Sequence, residues 1–180
     1  MGEAALVPND DGGVKPEGNG WFVLNAKDAR WTVSPELGWY CAWEGDGDAR
    51  FEQLGMNLNV MEPGQPMTMY HGENAQEDFF VIYGECIAIV EGQERPLRQW
   101  DLLHCPPGVQ HAIVGAGEGP SLVLAVGARG PEMDDHELVY PADPVARAHG
   151  AAAEETTSDP REAYKGFSFE KKAYEEGRLR

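Results

Sequence analysis

Four side chains have the types and the spacing of a metal-binding set: His71, Glu73, Glu77 and His111. His71 and Glu73 are two residues apart on an extended segment, so they project to the same face. Glu77 begins the next apolar segment after a short connection, and His111 begins another after a Pro-Pro-Gly turn. Two imidazoles and two carboxylates suit a divalent transition ion, and these ligand types do not distinguish Fe, Mn, Zn and Ni. An isolated histidine or glutamate of this kind would more often be a surface or core residue.

The segments that must position these side chains have the pattern of short β-strands. Apolar and polar residues alternate with period two in MNLNV (56–60), which is typical of a strand. The run FFVIYGECIAIVEG (79–92) is apolar on both faces, as in a strand covered on both sides. Turn sequences recur at short intervals and no helical period is visible from residue 51 to 130. We therefore predict an all-β fold, a sandwich or barrel of about seven strands.

The flanking segments have a different composition. Residues 1–19 are rich in Gly, Asp, Glu, Asn and Pro, which predicts a disordered tail. Residues 21–25 and 39–43 are aromatic and read as two extra strands before the barrel. Residues 142–148 and 158–164 are predicted to form short helices. The predicted domain boundaries are 1–19 for the tail, 20–130 for the barrel with its N-terminal strands, and 131–180 for a C-terminal extension.

A second group of residues is predicted to surround the four candidate ligands. Residues in the same alternation phase should face the barrel interior, where they either pack the core or line a small-molecule pocket. These residues are Met67, Met69, Phe79 and Ile113. The predicted cavity is therefore mostly apolar around one polar site. Tyr70 and Gln76 flank the ligands and are candidates for hydrogen bonds to them. His104, just before the Pro-Pro turn, is assigned a structural role.

Charge and composition exclude several classes of partner. The 180 residues include 31 acidic and 14 basic residues, a formal net charge of -17. Such a chain repels phosphate backbones and anionic membrane surfaces, so nucleic-acid and membrane binding are not expected. Three widely spaced cysteines do not form a disulfide framework, and they are predicted to be buried small hydrophobes. With no signal peptide recognisable at the N-terminus, we expect a reducing, cytoplasmic compartment.

Two motifs in residues 64–115 make the chain resemble the cupin superfamily. The first reads Gly64, six residues, His71-Gly72-Glu73, three residues, Glu77, six residues, Gly84. The second reads Trp100, five residues, Pro106-Pro107-Gly108, two residues, His111, three residues, Gly115. The resemblance implies a double-stranded β-helix, or jelly-roll, barrel. It also implies metal ligands at His71, Glu77 and His111, and at Glu73 by position.

The chain departs from the family pattern at four positions. Glu73 stands where the family has its second histidine, and Gly64 comes one residue early. Trp100 and Gly115 replace the glycine that opens the second motif and the asparagine that closes it. The change at Glu73 alone touches the metal, where a carboxylate shifts preference toward harder ions. Two questions stay open: whether Glu73 is a ligand or only a hydrogen-bond acceptor, and whether the site is degenerate and metal-free.

These features predict a metal-binding cupin that acts on or binds a small organic molecule. Dioxygenase chemistry is slightly favoured, because two histidines and a carboxylate are the ligand type of non-haem iron oxygenases. An isomerase acting on phosphosugars would need cationic groups at the phosphate, and residues 51–140 contain only Arg95, Arg98 and Arg129. The alternative is a non-catalytic cupin, either a small-molecule-binding or a structural module.

The aromatic N-terminal strands also predict an assembly. Trp21, Trp31, Trp39 and Trp43 exceed what a small barrel needs internally. The cupin resemblance implies pairing through such extra strands, so we predict a homodimer in which residues 20–45 cover or exchange with a partner. In the alternative arrangement, these aromatic residues pack only on their own barrel.

Overall fold

The computed structural model describes residues 2–129 and 137–179 of the chain. Strands dominate this part of the chain, and their pairing within the sheets is antiparallel. The strands are β1 (Ala5–Pro8), β2 (Val14–Glu17), β3 (Trp31–Ser34), β4 (Gly38–Ala42), β5 (Leu54–Met61), β6 (Glu77–Tyr83), β7 (Glu85–Val90), β8 (Gln93–Arg98), β9 (Leu102–Cys105), β10 (His111–Ala116), β11 (Ser121–Ala128) and β12 (Glu170–Lys172). The helical elements are a 3-10 turn at Gly47–Ala49, α1 (Pro144–Ala148) and α2 (Pro160–Ala163).

Two sheets face each other and enclose the core. The larger has the order β12-β3-β4-β5-β11-β6-β9, and the smaller has the order β10-β7-β8. Alternate side chains of each strand point between the sheets, where apolar burial stabilises the pair. This core consists of Met61, Met67, Phe79, Val81, Cys86, Cys105, Ile113 and Val123. The predicted all-β class and the two short C-terminal helices are confirmed.

Three of the tryptophans before the barrel, Trp31, Trp39 and Trp43, pack on the outer face of the larger sheet of the same chain. Trp31 and Trp39 are buried against Leu58 and Val60 of β5. The indole N–H of Trp31 donates to the carbonyl of Ala26 at 2.9 Å, which satisfies its polar group inside the cluster. Strands β3 and β4 therefore extend the sheet of their own barrel through β5.

The structure differs from the prediction of a disordered tail at the N-terminus. Strands β1 and β2 pair antiparallel, with Ala5 opposite Glu17, and the amide of Asn9 donates to Gly13 at the turn. Such a hairpin is held by backbone hydrogen bonds, which a polar composition does not prevent. The domain boundaries at 19/20 and 130/131 stay predictions, and Met1 lies outside the described residues.

Two predicted strands are irregular. Within the described part of the chain, residues 21–25 make one isolated bridge, between Trp21 and Glu3, and do not form a strand. The segment 66–72 that carries His71 is also not a continuous strand. The amide of Tyr70 donates to the carbonyl of Ala151, and the amide of Met69 donates to the hydroxyl of Tyr164 at 3.3 Å. The backbone amides of this segment thus bond the C-terminal extension and not a neighbouring strand.

The described part of the C-terminal extension packs on the barrel. Strand β12 pairs with β3. Asp143 and Asp159 directly precede α1 and α2, and their carboxylates cap the first turn of each helix. Residues 131–136 and 180 of the predicted extension lie outside the described residues. Within the described ranges, a helix of bilayer-spanning length and apolarity is not found.

Candidate metal centre

A backbone bridge holds the two histidines side by side. The amide of His71 donates to the carbonyl of His111 at 3.0 Å, and the reciprocal bond is 2.8 Å long. Their ring centroids lie 4.9 Å apart. Glu77, the first residue of β6, places Oε2 at 3.3 Å from Nε2 of His71 and at 2.9 Å from Nε2 of His111. The structure thus brings together three of the four predicted ligands.

Hydrogen bonds on the far side of each imidazole fix its tautomer. Nδ1 of His71 lies 2.8 Å from the carbonyl oxygen of Met69. Nδ1 of His111 lies 3.0 Å from the carbonyl oxygen of Val109. Since a carbonyl only accepts, the proton of each neutral ring belongs on Nδ1, and Nε2 presents a lone pair. Metal-binding histidines are oriented in this way, with the other nitrogen held by a hydrogen bond.

The ligand atoms of His71, Glu77 and His111 lie within 4.8 Å of one another. Oε2 of Glu77 and Nε2 of His111 are buried and make no hydrogen bond of good geometry. A buried polar atom left without a partner costs about 1–3 kcal/mol. A carboxylate oxygen and a neutral Nε2 both supply electron pairs, so they repel each other. A cation between them would accept both electron pairs and remove this repulsion. Two imidazoles and one carboxylate fit a divalent transition ion, so this group could hold one.

The charges of the three side chains are coupled. Burial would raise the pKa of Glu77, but the imidazoles of His111 and His71 outweigh it and lower that pKa to about 2. Burial would likewise lower the pKa of His71, but Glu77 outweighs it, and the pKa of His71 is raised. Glu77 is therefore charged at neutral pH, and a proton on Nε2 of His71 competes for the place of a metal ion.

This competition gives the affinity for a divalent ion a defined pH dependence. The affinity should fall as the pH is lowered, because protons displace the ion from the His71 imidazole. Since the pKa of His71 is raised above its ordinary 6.5, the fall begins on the alkaline side of a normal histidine titration. We expect about a tenfold loss per pH unit for each proton displaced. Calorimetric titration with Zn²⁺ at several pH values measures this, and an affinity that does not change with pH would contradict it.

A cavity of about 190 Å³ opens beside Glu77. Gly55 and Gly127 are paired across β5 and β11. A Cβ atom at Gly127 would lie 3.5 Å from Oε1 of Glu77, so the glycine leaves room beside the carboxylate. The lining consists of Gly55, Asn57, Glu73, Glu77, Ala125, Gly127, Ala128 and Arg129. This lining is small and polar, which differs from the mostly apolar cavity that the sequence predicts.

Glu73 and Arg129 are charged residues of this cavity's lining. Glu73 borders the cavity with Glu77 but is not among the three residues whose ligand atoms cluster within 4.8 Å, so its role as a ligand stays a prediction. The guanidinium of Arg129 pairs with Glu44 in a bidentate manner, at 2.6 and 2.7 Å. Arg129 is therefore already bound to an acidic residue of its own chain.

The predicted apolar lining residues pack away from this cavity. Met67, Phe79 and Ile113 belong to the core between the sheets, and Met69 packs in a cluster with Tyr140. Phe79 still touches the site, since its ring centroid lies 5.1 Å from that of His111. These bulky side chains fill the barrel, and the open space is left where β5 and β11 carry small residues.

The predicted hydrogen-bond partners of the ligands have other contacts. The hydroxyl of Tyr70 accepts from the amide of Gly92 at 3.0 Å. The amide group of Gln76 donates to Asp78 at 2.5 Å. His104 also bonds Asp78, with Nδ1 at 2.6 Å from a carboxylate oxygen, and its side chain is half exposed. The structural role predicted for His104 therefore agrees with an outward-facing ion pair on β9.

Sequence reasoning missed three residues near the centre. Tyr140 contacts the ring of His71, with centroids 5.9 Å apart, and it comes from the extension, where no motif points to a site. Arg129 and Glu44 form their pair across 85 positions of the chain. Glu44 lies in the loop before β5, far from Arg129 in the sequence. No sequence pattern indicates that the two residues form an ion pair in the folded sheet.

Comparison with known proteins agrees with the cupin resemblance. Residues 57–127 match the family model of the cupin domain. Among solved structures, the polyketide cyclase RemF from Streptomyces resistomycificus has a TM-score of 0.54 at 15% identity, with 70% of this chain and 91% of that chain covered. A sugar phosphate isomerase from Silicibacter pomeroyi has a TM-score of 0.44 at 22% identity, covering 72% of this chain and 74% of the other.

A protein from Acidithiobacillus ferrooxidans, described as a putative sugar phosphate isomerase, has a TM-score of 0.45 at 22% identity. That match covers 51% of this chain, and this chain spans 60% of the length of that protein. The search of curated proteins found no match. Identities this low compare folds and do not transfer a reaction.

The fold and the site together define a small β-barrel of the double-stranded β-helix type with a histidine–carboxylate cluster at one end. Within this barrel, residues 57–127 are the part of the chain that matches the family model of the cupin domain.

Proposed function

We propose that this cupin binds a divalent transition ion at His71, Glu77 and His111 and acts on a small, uncharged or weakly charged organic molecule in the adjoining cavity. The observation that carries the proposal is the convergence of two imidazole Nε2 atoms and one carboxylate oxygen, two of the three atoms buried without a hydrogen-bond partner. When bound, such an ion supplies Lewis-acid or redox chemistry at coordination positions that the protein leaves open. Glu73 is the proposed fourth ligand, from its position in the motif.

The residues around the cluster orient a substrate and limit its size. At about 190 Å³ the cavity is smaller than the roughly 300 Å³ at which drug-sized sites begin. The amide of Asn57 can bind a polar group of the substrate, and the paired glycines keep space beside Glu77. Arg129, a cationic residue of the cavity lining, is already bound to Glu44 in a bidentate manner, so it is not available to a phosphate group. This supports a neutral substrate and argues against a phosphorylated one.

For the reaction we favour a dioxygenase, which would add both atoms of dioxygen to the organic substrate. The support is the ligand type, two histidines and one carboxylate, which is that of non-haem iron oxygenases. Glu77 stays ionised because its pKa is lowered to about 2, so it serves as a ligand and not as a proton donor. The second candidate is a non-catalytic binding cupin, favoured by Glu73 at the position of the second histidine of the family motif.

A ligand screen separates these two functions. Protein loaded with Fe(II) without oxygen is tested by thermal shift against small neutral organic compounds, and each stabilising compound is then incubated in air. The dioxygenase proposal expects oxygen consumption and a product enlarged by two oxygen atoms. A compound that raises the melting temperature but is not converted supports the binding module. A Glu77→Gln variant is the matched control, since it should lose turnover.

We also propose a homodimer and a cytoplasmic location, both of which the sequence predicts. Cys41, Cys86 and Cys105 are buried and unpaired, which supports a reducing, cytoplasmic compartment. In the proposed homodimer, Trp21 and Val23 are the candidates for partner contacts within residues 20–45, because 56% and 79% of these side chains are exposed. Trp31 and Trp39 are buried within their own chain, which favours the alternative for those two residues.

A further inference from the structure

The C-terminal extension reaches the candidate metal centre through one short backbone ladder. The amide of Gly72 donates to the carbonyl of Val139 at 2.9 Å, and the reciprocal bond is 3.0 Å long. The next residue, Tyr140, exchanges the same pair of bonds with Thr157, at 2.8 and 3.1 Å. Tyr140 is thus held between the segment that carries His71 and a second segment of the extension.

The Tyr140 ring is buried against His71. Its side chain is 4% exposed, and its ring centroid lies 5.9 Å from the imidazole centroid of His71. The edge of the ring meets Tyr164, with centroids 5.8 Å apart and planes at 83°. The hydroxyl of Tyr164 accepts from the amide of Met69 at 3.3 Å. The ring of Tyr140 therefore packs between Tyr164 and the imidazole of His71.

The imidazole pair has an aromatic side chain at each end. Phe79 packs near His111 with centroids 5.1 Å apart, and Tyr140 packs near His71. The hydrogen bond from Nδ1 to the carbonyl of Met69 holds one side of His71 but leaves its ring free to tilt. A ring packed beside the imidazole restricts that tilt, because a side chain in a packed core moves only if its neighbours move.

We propose that Tyr140 is a positioning residue for the metal ligand His71, and that the C-terminal extension is thereby part of the metal site. The inference rests on the proposed metal-binding function. The ring of Tyr140 aims Nε2 of His71 at Oε2 of Glu77, and Tyr164 packs on that ring and bonds the backbone of Met69. The open side of the site is then the side of the cavity beside Glu77.

The test uses Co²⁺ alone as the probe, because its visible absorption spectrum reports the geometry of its ligands. Tyr140→Ala and Tyr140→Leu remove the ring, and both should bind Co²⁺ about 10–100-fold more weakly with an altered spectrum. Tyr140→Phe keeps the ring and should retain the affinity and the spectrum. Phe167→Ala is the matched control, because Phe167 packs on Tyr164 in the same cluster. It should lower the melting temperature of the metal-free protein but leave the spectrum unchanged.

The outcomes distinguish this inference from the function on which it rests. Wild-type protein that binds no Co²⁺ overturns both. Wild-type protein that binds Co²⁺, with the same affinity and spectrum in Tyr140→Ala, overturns the positioning role alone. An equal spectral change in Phe167→Ala also overturns it, since general packing of the extension would then suffice. Tyr140→Leu keeps much of the buried volume, so it carries the comparison if Tyr140→Ala does not fold.

Discussion

Replacing His111 by alanine should lower the affinity for a divalent ion by more than about 100-fold, because the loss of a ligand exceeds the 10–100-fold typical of a ligand's supporting partner. His111 supplies an Nε2 atom that lies 2.9 Å from Oε2 of Glu77, and its side chain is 2% exposed. The alanine variant keeps two of the three clustered ligands, His71 and Glu77. Isothermal titration with Zn²⁺ or Mn²⁺ measures the change, and circular dichroism verifies that the barrel is folded.

His104→Ala is the matched control for this variant. His104 lies on β9, its side chain is 52% exposed, and it pairs with Asp78 outside the ligand cluster. Its replacement should leave metal affinity within about twofold, since an exposed ion pair contributes little to the rest of the structure. Equal losses in the two variants would contradict the assignment of the site, as would full affinity in His111→Ala.

Replacing Trp31 by alanine should reduce the free energy of unfolding by about 3–5 kcal/mol, the range for removal of a buried tryptophan. Trp31 is 0% exposed, with Trp39 and Tyr174 at centroid distances of 6.4 and 5.9 Å. The substitution removes a large apolar surface and the hydrogen bond to Ala26. Urea denaturation followed by tryptophan fluorescence and circular dichroism measures the loss.

Trp21→Ala supplies the comparison for Trp31, because Trp21 is 56% exposed. Its effect on unfolding should stay within about 0.5 kcal/mol. Light scattering on both variants shows whether residues 20–45 also mediate a dimer. A loss below about 1 kcal/mol for Trp31→Ala would contradict burial of this side chain within its own chain. A loss that depends on protein concentration would instead place Trp31 in an exchanged segment.

The barrel and its ligand cluster are accessible to sequence reasoning because both depend on local patterns. Alternation of apolar residues identifies β5, and the spacing of His71, Glu77 and His111 is read directly from two short motifs. The turns that separate these residues fix which strand ends meet. Such a pattern does not show how far a side chain reaches toward the site. Glu73 is part of the motif, but it is not among the three clustered residues.

The parts that were not predicted depend on contacts between distant segments. The backbone of Met69 and Tyr70 bonds the extension at Tyr164 and Ala151, which breaks the strand that the alternation predicts. The polar cavity results from Gly55 meeting Gly127 across two strands. The hairpin of residues 5–17 is held by backbone pairing, which cannot be predicted from amino-acid composition. None of these contacts produces a periodic pattern of apolar and polar residues in the sequence.

The most direct test of the metal site is a crystal structure of protein purified without added metal, with diffraction data collected above and below the absorption edge of each transition ion found by elemental analysis. We expect an anomalous peak bonded to Nε2 of His71, Nε2 of His111 and Oε2 of Glu77. The same map shows whether Glu73 is a further ligand. A protein that contains no ion, and that shows no peak after soaking with Fe, Mn, Zn or Ni at neutral pH, would contradict the account.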